Sequence, residues 1–335
     1  MSDPAEIELC YLLLAPLRSQ ADGATAPVRA PRDAPDSFAV DIQVRAADRF
    51  TFDAQGVAVD IRCQQFDGLA VVYECGFRID RPLAGDAAVR KRAVEEAVRA
   101  DLLDRAGAPA VWEQYSIVLV PTPEDGPDVL IEQHGAALAR LVRSLPKAPD
   151  ELQVEQILRA RARWSEADMT VVDWLGAVII AEQGLYQSDV DLCVIAKYQL
   201  LRYRMLDQAM EQHLRDVRAH LATVRGRWRP STQRVVASVV DGRLELLLEF
   251  ERTSQSLLFV GEWYSAHVYS LLVQNLYLDD WKRSVSDKLA SLEAIDATVR
   301  ERLTISWRRL LDVVSLAGWT FLMVGYIILF VINLR

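Results

Sequence analysis

An uncharged run of 22 residues, VVSLAGWTFLMVGYIILFVINL from Val313 to Leu334, constrains this 335-residue chain more than any other feature. At 1.5 Å per residue a helix over that run is about 33 Å long, against a bilayer hydrocarbon core of about 30 Å. Trp319 and Tyr326 are amphipathic aromatics suited to the headgroup level, and Gly318 and Gly325 are ordinary in membrane helices. The run predicts one C-terminal transmembrane helix over 313–334. Arg300, Arg302, Arg308 and Arg309 precede it and only Arg335 follows. Positive residues stay inside, so Arg308 and Arg309 mark the inner flank. The expected setting is the inner (cytoplasmic) membrane, single-pass, with the body facing the cytoplasm, or the matrix in a mitochondrion. A span so close to the last residue is the pattern of a tail-anchored protein.

Composition describes the rest of the chain. Apolar residues make up 51% and charged residues 25%, as in folded globular proteins. The net charge of −9 gives the body no general attraction for polyanions, and no DNA partner is expected. Cys10, Cys63, Cys75 and Cys193 form no CxxC and sit in apolar stretches, where cysteine behaves as a small hydrophobe. The N-terminus has acids, not bases, before its short apolar run, so it does not read as a secretory signal.

The pattern predicts an α+β fold: an N-terminal, mostly antiparallel sheet with helices, then long antiparallel helices, then the span. Residues 1–122 form the sheet domain. Its expected strands are Glu6–Leu14, an alternating stretch around Phe38–Val44, another at Val57–Ile61, Leu69–Ile79 and Trp112–Val120. Residues 18–37, rich in Ala, Pro and Asp, read as a loop, and Asp67-Gly68 as a hairpin turn. A helix is expected over Asp86–Arg105, with Val89, Ala93, Ala97, Ala100 and Leu103 on its buried face. Residues 123–187 read as helices over Asp128–Leu145 and Asp150–Trp164, the second capped by Asp150, plus a short hairpin of Met169–Asp173 and Ala177–Ala181. Residues 188–312 form a long-helix, coiled-coil region. One helix begins near Ser188 with Val194, Tyr198, Leu201 and Met205 in its seam, and ends before Gly226 and Pro230. A second spans roughly Thr232–Leu258. A third runs without Pro or Gly from Asp279 toward the membrane.

The stretch Gly261–Val314 resembles the required-for-meiotic-nuclear-division family of mitochondrial and bacterial membrane proteins. The likeness rests on Trp263 and Tyr264, the K-L-x-x-L pattern of Lys288, Leu289 and Leu292, then Arg302-Leu303 and an arginine-flanked span. Asp189–Leu214, containing QLLRYRMLDQAM, is similar to bacterial members. The family's acid-rich turn is replaced here by Thr304-Ile305-Ser306. The resemblance implies an inner-membrane homo-oligomer that supports translation by holding ribosomes near the membrane, without enzyme activity.

No GxGxxG, GxxxxGK[ST], HExxH, GxSxG or DxDxDG pattern occurs, so no catalytic residue, metal or cofactor is assigned. His213 and His220 stand seven apart, too far for ligands on one helix face. Glu166, Asp168, Asp173 and Glu182 flank the predicted hairpin and either share a pocket or are solvated turn acids. Arg225, Arg227, Trp228, Arg229 and Arg234 cluster where two helices reverse. Guanidinium on phosphate and indole on a base would contact RNA or a ribosome, whereas the bland alternative is a solvated hairpin tip. Trp281, Val285, Leu289, Leu292, Ile295, Val299 and Leu303 form an apolar seam expected to join copies of the chain. The reading is a non-enzymatic membrane-anchored scaffold or tether that self-associates and holds a partner such as the translation machinery. An enzyme using carboxylates of the α+β region is the alternative. A CorA-like channel shares the outline, but the sequence has one span and no GMN.

Overall fold

The structure is a computed structural model that describes residues 7–17, 42–182, 185–224, 247–248, 250–251, 263–291 and 315–325. The chain divides into two compact units, Met1–Leu206 with Phe250–Arg283, and Asp207–Glu249 with Ser284–Arg335.

The first unit is built on β1 (Glu8–Pro16), whose burial explains the architecture. Leu12, Leu13 and Leu14 are all fully buried, although successive side chains of a strand point to opposite faces. A strand that is apolar on both faces has to be covered on both. Ile7, Leu9, Tyr11 and Leu13 face one core, and Cys10, Leu12 and Leu14 face another. The strands β2 (Val44–Ala54), β3 (Val57–Phe66), β4 (Ala70–Phe77), β5 (Glu113–Pro121), β6 (Ala160–Ala162), β7 (Met169–Val172) and β8 (Gly176–Ala181) complete one eight-stranded sheet, ordered β2-β3-β4-β1-β5-β8-β7-β6. Helices α1 (Ala87–Arg105), α2 (Pro127–Val142) and α3 (Glu151–Ile157) cover the first face. Helices α4 (Gln187–Val224) and α5 (Trp263–Asn275) cover the second.

The α+β class read from the sequence is therefore present, with one change to the sheet. Six pairings are antiparallel, but β5 and β8 are parallel, so the sheet is mixed. The Met169–Ala181 hairpin forms as expected and extends the same sheet as β1–β5. Asp67 and Gly68 take φ of 52° and 66°, and the Leu69 amide donates to Phe66 O at 2.9 Å, closing the β3–β4 turn. Asp150 caps α3 in a reciprocal capping box with Gln153.

Two helical readings are corrected. In α1 the buried residues are Ala87, Ala88, Lys91, Val94, Glu95, Val98 and Leu102, while Val89 is 50% exposed. The helix is rotated from its purely apolar stripe because two charged residues belong to its inner face. Helix α3 stops at Ile157, well before Trp164, because Ala160–Ala162 leave the helix to pair with β7. Of the predicted Phe38–Val44 strand, Val44 opens β2, and residues 38–41 lie outside the described residues.

Lys91 and Glu95 sit in a closed polar knot. The three protons of the Lys91 ammonium reach Glu95 Oε1 at 2.7 Å, Ser116 Oγ at 2.9 Å and Ser144 Oγ at 2.8 Å. Both serine hydroxyls donate to Glu95, Ser144 at 3.2 Å. Beside it, Arg143 grips Asp173 through Nε at 2.9 Å and a terminal nitrogen at 2.7 Å. Tyr115 donates to Asp173 O at 2.8 Å. All of this surrounds the start of the parallel join, where Ser116 pairs with Gly176.

A Cβ placed on Gly176 would lie 2.2 Å from the backbone oxygen of Ser116, so no other residue fits without moving a strand. Gly176→Ala should destabilise the protein by roughly 3 kcal/mol or more, as an overpacked core site does. A urea midpoint equal to that of the parent protein would show that the join is not so tight.

Helix α4 carries most of its seam as expected. Val194, Tyr198 and Leu201 are buried, but so is every residue from 192 to 203, so this half is covered all round. The second long helix, Thr232–Leu258, falls largely outside the described residues, where Leu247, Leu248, Phe250 and Glu251 are helical. Residues 278–291 are helical, as the third predicted helix requires. In the second unit Lys288 pairs with Asp207 and approaches Glu211 at 3.5 Å. Among the described residues no helix is long and apolar enough to cross a membrane. Of the run 313–334, residues 315–325 are described, and they are helical.

Candidate functional site

The outer half of the sheet's second face carries polar residues where an apolar face would otherwise continue. Strand register fixes two rows. Leu12 lies beside Glu74, Glu74 beside Arg62, and Arg62 beside Arg49. In the next row Cys10 lies beside Gly76, Gly76 beside Asp60, and Asp60 beside Thr51. Gly76 contributes no side chain, so its row has a gap. Tyr186, Gln187 and Val190, at the start of α4, wall this gap and leave a cavity of about 250 Å³.

The ion pairs around the notch are graded from rim to floor. Arg49 and Asp60 pair at the solvent edge, where the arginine holds the Asp60 carboxyl below its ordinary range. Arg78 approaches Glu8 at 3.6 Å, also exposed. Deeper in, Arg62 reaches Glu74 at 3.4 Å, a long contact. Burial pushes the Glu74 carboxyl up, with Arg62 and a hydrogen bond from Gln187 opposing. Gln187 also donates through Nε2 to Asp191 Oδ1 at 2.8 Å. Asp191 is pushed up to about 6, first by burial and then by the charge of Glu74. One neutral amide thus bridges two half-buried carboxylates, one of which exchanges its proton near pH 6.

These residues are not the carboxylates that the sequence singled out. Asp173 is locked by Arg143, and Asp168 accepts from Ser165 at 2.8 Å within its own turn. Glu166 and Glu182 are exposed. Besides Asp173, the buried acid of that region is Asp189, which accepts from Thr170 and, at 2.7 Å, from Tyr264, and ties α5 to β7. Among the described residues no three His, Cys, Asp or Glu side chains could together hold a metal ion. The four cysteines are buried and free, as expected of core residues, and burial pushes each thiol up.

The arginine turn, Arg225, Arg227, Trp228, Arg229 and Arg234, lies outside the described residues, as do Arg308 and Arg309. Of the helical seam, Val285 and Leu289 are buried within the chain, and Trp281 packs against the second core. Leu292, Ile295, Val299 and Leu303 lie outside the described residues. What sequence reasoning missed was Glu8, Asp60, Glu74, Gly76, Gln187 and Asp191. One signal was available, the interruption of the apolar strand VVYECGF by Glu74 and Gly76.

A family model described as the N-terminal domain of the uncharacterized protein MJ0711 matches residues 26–187. The chain is similar to that protein, from Methanocaldococcus jannaschii, at 21% identity over 214 residues, 63% of this chain. The similarity spans 64% of the length of the archaeal protein. No solved structure matches the chain. The matched residues 26–187 include β2 through β8 and reach the first residue of α4.

Asp191 yields a stability prediction with a definite sign. Its folded-state value, about 6, is raised above the ordinary 3.8, so the folded protein binds the extra proton. Stability is therefore lost as pH rises from about 4 to about 6 and stays lower above that. Asp191→Asn keeps the size and the Gln187 hydrogen bond but removes the charge. It should raise stability at pH 7.5 by on the order of 2 kcal/mol and leave stability at pH 4 nearly unchanged. Denaturant midpoints at the two pH values test this, and equal gains at both would refute the assignment.

Proposed function

We propose that this chain is a membrane-attached, non-enzymatic scaffold, with Val313–Leu334 as its span and a body that self-associates and holds a partner at the membrane surface. One observation carries the reading. In the helical residues 315–325, Leu316, Trp319, Phe321, Leu322, Met323 and Val324 are all exposed. Phe321 is 81% exposed and Trp319 72%. Leaving six such side chains in water forgoes on the order of 10 kcal/mol of burial. They point round the helix, so a single packing face cannot cover them, whereas a bilayer covers every side at once.

The sequence around them supports the same assignment. Arg300, Arg302, Arg308 and Arg309 put the body on the cytoplasmic side. The resemblance of Gly261–Val314 to the required-for-meiotic-nuclear-division family suggests an inner membrane and the translation machinery as partner. Arg225, Arg227, Arg229 and Arg234, with Trp228 among them, are the residues this reading assigns to ribosomal RNA. Leu292, Ile295, Val299 and Leu303 remain the proposed seam between copies, since Val285 and Leu289 are already covered within the chain.

Carbonate washing of membranes tests the anchor. The full chain should stay in the pellet, and a chain ending at Leu310 should be released. Release of both, or retention of both, would end the anchor reading. Self-association is tested separately in mild detergent by mass photometry. The full chain should run as an oligomer, and the double variant Leu292→Asp, Val299→Asp as a single chain that still inserts. A full chain that runs as a single copy refutes the seam.

A further inference from the structure

We propose that the outer face of α5 is a contact between two copies of this chain, packed antiparallel about a two-fold axis at Ser270. It is separate from the seam of Leu292, Ile295, Val299 and Leu303, and either contact can fail without the other.

Helix α5 turns Ser265, Val268 and Leu272 to the core. Its exposed residues are Trp263, Ala266, Ser270 and Gln274, and the exposed Tyr277 follows in the turn after the helix. A surface helix ordinarily carries charge on its outer side. Here no Asp, Glu, Lys or Arg occurs from Trp263 to Leu278, in a chain that is 25% charged. Aromatic rings stand at both ends of the stripe instead. Trp263 stacks on His267 with ring centres 5.6 Å apart, and beside it Tyr264 meets the exposed Trp164 edge-on at 5.9 Å. At the other end Tyr277 lies 5.5 Å from Trp174, next to the exposed Leu175. Tyr277 holds its ring there from a φ of 53°, a left-handed conformation in which a bulky residue is an outlier. Glycine would end the helix with less strain.

The spacing of the stripe points to its occupant. Residues 263, 266, 270, 274 and 277 follow one another by three, four, four and three, the same from either end. In an antiparallel pair centred on Ser270, Trp263 lies level with the partner's Tyr277 and Ala266 with the partner's Gln274. Ser270 meets its own copy. This is the self-complementary pairing that a two-fold contact requires. Small side chains at the centre let the two helices approach closely, and the rings close the ends. Charge favours the same occupant. Each copy carries a net charge of −9, so two copies meet with least repulsion where neither face is charged. A membrane-surface helix would instead bring Lys or Arg beside a continuous apolar row, whereas Ala266, Ser270 and Gln274 fill the middle here.

Area sets the strength of the contact. Trp164, Trp174, Leu175, Trp263 and Tyr277 are between 39% and 72% exposed and offer roughly 500 Å² per copy. A dimer would bury about 1,000 Å² in all, at the low end for specific interfaces. Such a contact holds at micromolar concentration and is lost at the nanomolar dilution of mass photometry. The Leu292→Asp, Val299→Asp chain therefore still runs there as a single copy.

Cysteine cross-linking tests the contact on the full chain at about 50 μM in mild detergent, with Leu292→Asp and Val299→Asp present to remove the seam. The four native cysteines are buried and do not compete. On oxidation with copper phenanthroline, Ser270→Cys should give covalent dimers. Ala266→Cys and Gln274→Cys should each give few alone, since each lies about 12 Å along the axis from its own counterpart, and should link when mixed. Ser270→Glu sets two like charges at the axis. It should turn the sedimenting dimer into a monomer without lowering the melting temperature, because position 270 is exposed. No dimer from Ser270→Cys, self-linking of Ala266→Cys as ready as its linking to Gln274→Cys, or a Ser270→Glu chain that sediments like its parent would each overturn the proposal. So would a Ser270→Cys chain that stays single and is shielded from a water-soluble maleimide in liposomes but not in detergent, which would give the face to the bilayer.

Discussion

The rest of the first unit depends on how two groups of strands are joined. Strands β2, β3, β4, β1 and β5 form an antiparallel set, and β6, β7 and β8 form another. The sets meet along the single parallel pairing of β5 with β8, which no hairpin closes and which a connection of two helices and two strands must deliver. Loop-closure entropy makes such a pairing costly to initiate. What fixes it is local and polar. Gly176 lets the β8 backbone approach Ser116, and the side chain of Ser116 is held by the Lys91–Glu95 pair. Ser144, past the end of α2, completes the knot from a φ of 48°, and Arg143 beside it holds Asp173 in the β7–β8 turn. Helix α1, helix α2 and both strands of the join are thus tied at one end of the sheet. A partial loss of this knot leaves a buried charge unpaired, which is worse than an apolar interior, so it acts as a unit.

That knot also marks where sequence reading stops. The existence and ends of α1, the hairpin at Asp67-Gly68, the cap at Asp150 and the Met169–Ala181 hairpin all follow from local signals, and all are present. The buried face of α1 is not legible, because apolar periodicity assigns Lys91 and Glu95 to solvent. Only a partner 25 residues away, Ser116, and another 53 away, Ser144, make their burial affordable. The premature end of α3 has the same origin. Residues 160–162 are read as helix from their neighbours in sequence and become strand through β7. The parallel pairing itself depends on contacts that no local pattern encodes.

The notch was illegible for a related reason. Its parts come from β1, β2, β3, β4, β5 and the first turn of α4, so residue spacing brings none of them together. Glycine in a strand is usually a mark of a bulge or a weak place in a ladder. Here the ladder through Gly76 is regular on both sides, paired with Cys10 and Asp60, and the missing side chain is felt on the face instead. Glu74 alone, in a strand otherwise apolar, hinted that this face is not simply core.

Helix α4 shows what buried polar contacts add to a face that apolar packing already covers. Residues 192–203 are buried on every side, and an apolar surface by itself would tolerate a helix shifted along its axis. Five polar contacts remove that freedom. Lys197 pairs with Glu113, and Arg204 reaches both Glu113 and, at 3.2 Å, the Trp112 carbonyl. Tyr198 donates to Asp67 at 2.7 Å in the β3–β4 turn, and Arg202 approaches the same carboxylate at 3.8 Å. Burial lowers the Lys197 ammonium, with Glu113 opposing. A slip of one turn, about 5.4 Å, would leave Glu113 and Lys197 inside the protein without each other, at a cost of roughly 3–5 kcal/mol for such a broken pair. Those contacts need not raise stability above that of an apolar interface. They select one register, and that register sets Gln187 and Val190 over Gly76.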